Sequence, residues 1–420
     1  MYDLLIRNAT LLDSVNTDDT RDIAITDGMI TEIRRNLPDE ARTVVDARGC
    51  LVLPPFVDSH FHLDSVWTRV PNSSGTLKEG IDNWFTYKQT TLTVEDVYDR
   101  AKAYCEHAFS MGIQAIRSHV DVCDPQLRGA QALVQLKNDL SDTIDIQLVA
   151  FPQDGYFGSP EVADLLNKAL DMGVDVVGGI PHFEQTMELG SRSIETLVKI
   201  AAERDLLVDM HCDESDDPNS RHVETLAYQT RLLGMQGRVN ASHVTSMAIM
   251  DPYYVSRKLI PLMVGAELSV ITNPLINIHL GGHFHHPKHR AMAPIRDLHG
   301  VGLTVACAQD CNEDPWYPLG NADMLEVAHM GAHIGHMMGL EQLKTMVEMV
   351  TSNPARIMNL EGYGLETGCR ANLLMLDARD YVEALRTTPD RVMVVRDGVI
   401  RVDTRKPEDT RKPEDTSRAP

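Results

Sequence analysis

Phe56-Val57-Asp58-Ser59-His60-Phe61-His62-Leu63-Asp64 is the stretch on which the fold turns. An apolar, β-prone run of Leu51, Val52, Leu53, Phe56 and Val57 leads straight into it. Side chains of an extended strand repeat with period two, so His60 and His62 point the same way off a strand end. Two imidazoles placed side by side supply half of a metal site. His-x-His alone also describes a pair of solvent-facing strand histidines, so the rest of the chain has to decide.

With 420 residues, 43% hydrophobic and 24% charged, the chain is long enough for one large core and a smaller one. No apolar run approaches the ~20 residues that span a bilayer, so no membrane partner is expected. The first residues, Met1-Tyr2-Asp3-Leu4-Leu5-Ile6-Arg7, read as a strand and lack the basic-then-apolar plan of a signal peptide. Seven dispersed cysteines, with no Cys-x-x-Cys, suggest a reducing, cytoplasmic setting. A formal net charge of −22 argues against a nucleic-acid surface and favours a neutral or cationic small ligand.

Both ends of the chain are β-rich. Near the start, Asp27-Gly28 separates two short apolar runs; near the end, Asp397-Gly398 does the same. Asp-Gly between such runs is a hairpin signal. The expected division is residues 1–54 and 366–403 as the two parts of one small β-sandwich, 55–365 as a central domain, and 404–420 as a disordered tail. That tail repeats Arg-Lys-Pro-Glu-Asp-Thr and is almost free of apolar residues. In the middle, short apolar runs alternate with helix-like segments, the rhythm of parallel β/α units. Eight strands are expected: Leu51–Asp58, Gln114–Val120, Asp145–Phe151, Val174–Ile180, Leu206–Met210, Arg238–Ser242, Glu267–Thr272 and Leu303–Ala308. The fold class is therefore α/β, a distorted (β/α)8 TIM barrel carrying a small β-sandwich domain built from both termini. Polar residues gather just past the strand ends, where such barrels keep their chemistry.

The metal ligands read from this pattern are His60, His62, His211 and Asp310, from the first, fifth and eighth strands. Three imidazoles and a carboxylate suit zinc or ferrous iron, which would lower the pKa of a bound water. Glu214, three residues after His211, is placed to carry a proton, although Asp213, Asp216 and Asp217 crowd the same turn. His243 ends the sixth strand and could share the water's proton. Gln153 ends the third, and its primary amide offers a donor and an acceptor to a cyclic amidine edge.

Taken together, these residues resemble the cytosine deaminase branch of the amidohydrolase superfamily, from about Leu4 to Val402. The most specific pieces are the opening stretch, Ser74-Gly75-Thr76-Leu77-Lys78-Glu79-Gly80-Ile81, His119-Val120-Asp121-Val122, Val149-Ala150-Phe151-Pro152-Gln153-Asp154-Gly155, Ile180-Pro181-His182-Phe183-Glu184 and His211-Cys212-Asp213-Glu214. Asn273-Pro274-Leu275-Ile276-Asn277-Ile278-His279-Leu280 and Asp314-Pro315-Trp316-Tyr317-Pro318-Leu319-Gly320 complete the set. The resemblance implies a hydrolytic deaminase of a free nucleobase, using one divalent ion, Fe(2+) or Zn(2+), and assembling as a homo-oligomer, with hexamers among its relatives. By motif, His60, His62, His211 and Asp310 would be ligands, Glu214 the proton shuttle and His243 an aid to water activation. Gln153 and the Leu77 backbone would bind the pyrimidine edge, and Phe151 and Trp316 would wall the ring. The lysine that bridges two metals in binuclear relatives is missing from the fourth strand end, which fits one ion.

This chain departs from the family pattern around the eighth strand, which has a histidine before the metal aspartate and, after it, a second aspartate near the pyrimidine's 5-carbon. Here the run is Gln309-Asp310-Cys311-Asn312-Glu313. A thiol behaves as a small hydrophobe. Cys311 would therefore leave an apolar niche beside the pyrimidine's 5-carbon, and 5-methylcytosine joins cytosine as the expected substrate. Isocytosine, creatinine, isoguanine and an aminotriazine present a similar carbon and remain open. A catalytically silent barrel used for assembly is the reading from another class, and the full set of ligands and shuttle acid disfavours it. His119 and His182 read as supporting residues, and His283, His285, His286 and His289 as a solvated loop near the mouth.

Overall fold

Pro54 and Pro55 split what the sequence presents as one strand. The computed structural model, which describes residues 1–14 and 19–405, has Leu51–Leu53 in one sheet and Phe56–Phe61 in another. Proline has no N–H to give a ladder, so two in a row end one strand and let the next start in a new direction. The expected first strand, Leu51–Asp58, is corrected accordingly.

Among the described residues the strands run as follows. The N-terminal part supplies β1 (Tyr2–Leu11), β2 (Thr20–Thr26), β3 (Met29–Arg34), β4 (Ala41–Asp46) and β5 (Leu51–Leu53). The barrel follows with β6 (Phe56–Phe61), β7 (Ile113–Asp121), β8 (Asp145–Phe151), β9 (Val176–Gly179), β10 (Leu207–Cys212), β11 (Val239–His243), β12 (Ser269–Thr272) and β13 (Val305–Cys307). The chain then returns with β14 (Leu373–Leu376), β15 (Arg391–Arg396) and β16 (Val399–Asp403).

Both termini build one small domain, as expected. Its strands are hydrogen-bonded in the order β16-β15-β14-β5-β1-β2-β3, with β4 joined to β1. The domain has a core of its own, which includes Leu4, Ile6, Ile23, Ile25, Val45, Val52, Leu373, Met375, Met393 and Val395. Both Asp-Gly pairs adopt the positive φ that tight hairpins require: +49° and +74° at Asp27 and Gly28, +51° and +75° at Asp397 and Gly398. The expected tail lies outside the described residues from position 406 onward.

The barrel strands are all parallel and follow chain order from β6 to β13. Between its first and last strands the closure is a single bridge, in which the Asp310 N–H donates to the His60 carbonyl at 2.9 Å. The pairing of β6 with β7, on the other side of β6, is irregular too, with register shifts at Phe56/Val57 and Asp58/Phe61. Helices cover the outside and start where capping residues allow. Thr93 caps Val94–Ser110 by accepting from the Asp96 N–H, and Thr186 caps Met187–Arg204 through the Leu189 N–H. The helix Leu77–Thr90 lies across the C-terminal mouth of the barrel. Its N-cap, Thr76, accepts from Glu79, while the Glu79 carboxylate accepts from the Ser73 and Ser74 N–H groups. Near its other end, the buried Lys88 ammonium bonds Asp121 at 2.6 Å and Asp154 at 2.7 Å, which ties the helix to the ends of β7 and β8. No described helix is long and apolar enough to cross a membrane.

Candidate active site

The strand ends deliver five buried groups to one place. His60 lies near the end of β6 and His62 just after it; His211 is in β10, His243 ends β11, and Asp310 follows β13. His62 Nε2 is 3.2 Å from His211 Nε2, and Asp310 Oδ1 is 3.4 Å from His62 Nε2 and 3.5 Å from His60 Nε2. The edge of a tetrahedron with ligand bonds of about 2.1 Å is about 3.4 Å. These three separations are of the size found between ligand atoms around a single cation. His60 Nε2 is buried with no hydrogen-bond partner, which is the state of a donor atom reserved for such an ion. Asp310 and His243 both take a positive φ, +72° and +68°, a costly backbone state for residues with a Cβ and one that clusters at functional sites.

Electrostatics favour a cation at this point. Burial alone would push the Asp310 carboxyl up, but His60, His62 and His243 hold it well below the usual carboxylate range. Burial works to lower His62, yet its hydrogen bond to Asp310 and that carboxylate's charge raise it. A cation satisfies the same attraction without a proton. Burial drives His211 and His243 well below the ordinary imidazole range, helped by the nearby His60 and resisted at His243 by Asp310. Neutral imidazole is the form that binds a metal.

His119 also enters the cluster. Its ring centroid is 4.2 Å from that of His60 and 4.5 Å from that of His211, and neither of its nitrogens has a hydrogen-bond partner. Burial, then the charge of His60, brings it down to about 3. Among the described residues, His60, His62, His119 and His211 form one buried donor set of metal-binding size, and His60, His211, His243 and Asp310 form another that overlaps it.

The tautomer of His243 follows from two asparagines. Asn277 Oδ1 accepts from the Asn273 N–H at 3.0 Å, so its amide nitrogen donates to His243 Nδ1 at 2.9 Å. The ring proton then sits on Nε2, 3.8 Å from Asp310 Oδ2. Glu214 Oε1 lies 3.3 Å from His243 Nδ1. Burial, then the negative charge of Asp310, raises the Glu214 carboxyl well above its usual range. Of the acids in that turn, Asp213 is tied up by Ser220, His222 and Val223, and Asp216 by Gly282. Glu214 is the one that faces the cavity beside the donor cluster.

That cavity has a volume of about 430 Å³. His62, His211, Asp310, Glu214 and His243 meet it on one side; Leu77, Gln153, Cys311 and Trp316 border it elsewhere. The remaining walls are largely apolar, with Ile81, Ile180, Phe183, Ile276 and Leu280. Phe151 is a correction: it does not border the cavity. It is fully buried and stacks on the His211 ring at 4.1 Å, so it backs that histidine rather than walling a substrate. Burial, then the charge of Asp310, pushes the Cys311 thiol well above its usual range, leaving it an unreactive small hydrophobe. His182, read from sequence as a supporting residue, borders the cavity as well. In the outer loop, His289 Nε2 lies 3.0 Å from Asp216, with His285 beside it. His289 Nδ1 accepts from the Ala291 N–H at 3.0 Å, which puts the neutral ring's proton on Nε2 and leaves that atom without a lone pair for a cation.

Comparison with known proteins bears on the family to which the chain belongs. The family model described as "Amidohydrolase family" matches residues 43–402. The crystal structure of 5-methylcytosine deaminase from Klebsiella pneumoniae liganded with 5-fluorocytosine superposes with a TM-score of 0.92 at 40% identity, over 96% of this chain and 98% of that one. N-isopropylammelide isopropyl amidohydrolase from Pseudomonas sp. (strain ADP) is 29% identical over 415 residues, 96% of this chain and 97% of its own length. Pterin deaminase from Rhizobium rhizogenes is 29% identical over 389 residues, 90% of this chain and 87% of its own length. The chain belongs to the amidohydrolase family, in its cytosine deaminase branch, and is a hydrolase of C–N bonds.

Proposed function

We propose that the protein is a hydrolytic deaminase of a free aminopyrimidine, converting cytosine or 5-methylcytosine to uracil or thymine with release of ammonia. The observation that carries this reading is that Glu214, its carboxyl raised well above the usual range by desolvation and the charge of Asp310, borders the same cavity as His62, His211 and Asp310. In this reading His60, His62, His211 and Asp310 hold one divalent ion, Fe(2+) or Zn(2+). When bound, such an ion makes water nucleophilic near neutral pH.

The chain's own residues do the rest. The Gln153 amide and the Leu77 backbone bind the amidine edge, and Trp316 lies over the ring. Glu214 gives its proton to the ring nitrogen beside the reacting carbon, then helps the exocyclic amine leave as ammonia. Asp310 takes up the proton that water loses and returns it to the departing amine, while His243, oriented by Asn277, holds its Nε2 proton toward Asp310. Cys311 faces the ring's 5-position. A buried methyl group is worth about 0.8 kcal/mol, or roughly fourfold in preference. The 40% identity to a 5-methylcytosine deaminase supports the methylated substrate. Assembly as a homo-oligomer in the cytoplasm completes the proposal.

A larger heterocycle is the second reading. A cavity of about 430 Å³ exceeds the needs of a single pyrimidine ring, and a pterin deaminase is among the relatives. The test is ammonia release from cytosine, 5-methylcytosine, isocytosine, creatinine and pterin by protein whose metal has been identified by elemental analysis. Turnover of 5-methylcytosine at least equal to cytosine is expected. Failure of the cation-loaded protein to deaminate any pyrimidine defeats the proposal, and a clear preference for pterin selects the second reading.

A further inference from the structure

Beneath the strand-end donors lies a second inward-facing layer, one pleat deeper. Alternate residues of a strand share a face, so Arg117 sits below His119 on β7 and Asp209 below His211 on β10. The Arg117 guanidinium donates to Asp209 Oδ2 at 2.9 Å, and both side chains are fully buried. Its other donors are met by Gln147 Oε1 at 2.7 Å and the Ile357 carbonyl at 3.1 Å. The second carboxylate oxygen, Asp209 Oδ1, accepts from Ser242 Oγ at 2.6 Å. His119 Nε2 is farther from that oxygen, at 3.7 Å.

A hydroxyl has one proton to donate. Ser242 gives it to the Asp209 carboxylate, so toward His60 Nδ1, 3.1 Å away, its oxygen can only accept. The neutral His60 ring must then carry its proton on Nδ1, which leaves the lone pair on Nε2, the partnerless atom 3.5 Å from Asp310. An ion pair buried this deeply adds little net stability, because desolvation offsets the attraction. Its place, one hydroxyl away from a candidate ligand, gives it a different use.

We propose that Arg117, Asp209 and Ser242 are positioning residues that lock the tautomer of His60 and thereby set the protein's affinity for its cation. The proposal rests on the reading above that His60 is a ligand. Partners behind a metal-bound histidine typically change affinity 10–100-fold when removed.

The experiment compares the wild-type full chain with S242A and S242T. Zinc alone is the probe, its dissociation constant read by competition with a chelator, alongside the Tm of each metal-free protein. S242A is expected to weaken zinc binding about 10–100-fold at an unchanged metal-free Tm, and S242T, which keeps the hydroxyl, is expected to stay near wild type. S242A binding zinc as tightly as wild type overturns the proposal while leaving the deaminase reading intact. So does a loss of affinity that S242T shares in full, or one that tracks a lowered metal-free Tm, because packing then explains it. If S242T fails to fold, the two S242A measurements still decide. Absence of stoichiometric zinc binding by the wild type overturns both the tautomer lock and the reading beneath it.

Discussion

Gly80 lies in the first turn of the helix Leu77–Thr90, where alanine would favour the helix by about 1 kcal/mol. A Cβ at this position would meet the Trp316 indole, 2.5 Å from Cδ1 and 2.9 Å from Nε1. An ordinary carbon–carbon contact needs about 3.5 Å, so G80A has to move the indole or the helix by about 1 Å. Trp84 lies on one side of that indole and His62 on another, each with its ring centroid 6.1 Å away. The displacement is therefore felt at the cavity. Overpacking costs about 1–3 kcal/mol, which the gain in helix propensity partly offsets, for a net loss of at most about 2 kcal/mol. A misplacement near 1 Å in a positioning element can cost about 10²-fold in rate, or about 2.7 kcal/mol of transition-state stabilisation. Activity should suffer more than stability. The assay is kcat/KM for 5-methylcytosine together with Tm for G80A, W316F and the double variant. The smaller phenyl ring should relieve the clash, giving a coupling energy of about 0.5–3 kcal/mol between the two positions. G80A protein with wild-type kcat/KM, or strictly additive effects in the double variant, would refute the idea that glycine is there to seat the indole.

Three further predictions concern other parts of the molecule. E214Q should lower kcat about 10²–10⁴-fold while leaving zinc affinity unchanged, as measured by steady-state kinetics and chelator competition; a loss below tenfold would remove Glu214 from proton transfer. Asp314 is buried, which pushes its carboxyl up to about 6 against the hydrogen bonds it accepts from the Trp316 and Tyr317 N–H groups. A carboxyl raised in the folded state contributes fully below its unfolded pKa, and the contribution fades as pH rises from about 4 through 6, here by on the order of 3 kcal/mol. In denaturant titrations D314N should therefore lose less stability than wild type over that range, and parallel pH profiles would contradict the assignment. K88A leaves Asp121 and Asp154 without their cation and should destabilise the fold by about 3–5 kcal/mol, whereas the K88M/D121N double variant should recover part of that; no difference between the two would show that the ion pairs contribute nothing specific.

Much of the candidate site is legible from local signals. His60 and His62 announce themselves because alternation along a strand is a property of a few consecutive residues. The β/α rhythm gives the barrel, and Asp-Gly gives the hairpins, for the same reason. Parity also explains the one misplaced wall. Phe151 shares the inward face of β8 with Gln147, which bonds the buried Arg117, so its ring ends up behind His211 and below the cavity. Gln153, past the strand end, rises high enough to reach the cavity. A strand's periodicity tells which face a residue takes, but not how deep in the barrel that face is covered.

The sequence by itself determined the class of fold, the small domain built from both ends, and the donors that gather at the strand ends, because each depends on hydrophobic period and turn chemistry within about ten residues. Only the tertiary structure decided that His119 joins the donor cluster, that Asn277 sets the proton on His243, that Arg117 and Asp209 lie beneath His60, and that Trp316 rests on the bare backbone of Gly80. Those relations join residues far apart in the chain, and they exist only once the strands have closed into a ring whose stagger places particular side chains in the same layer.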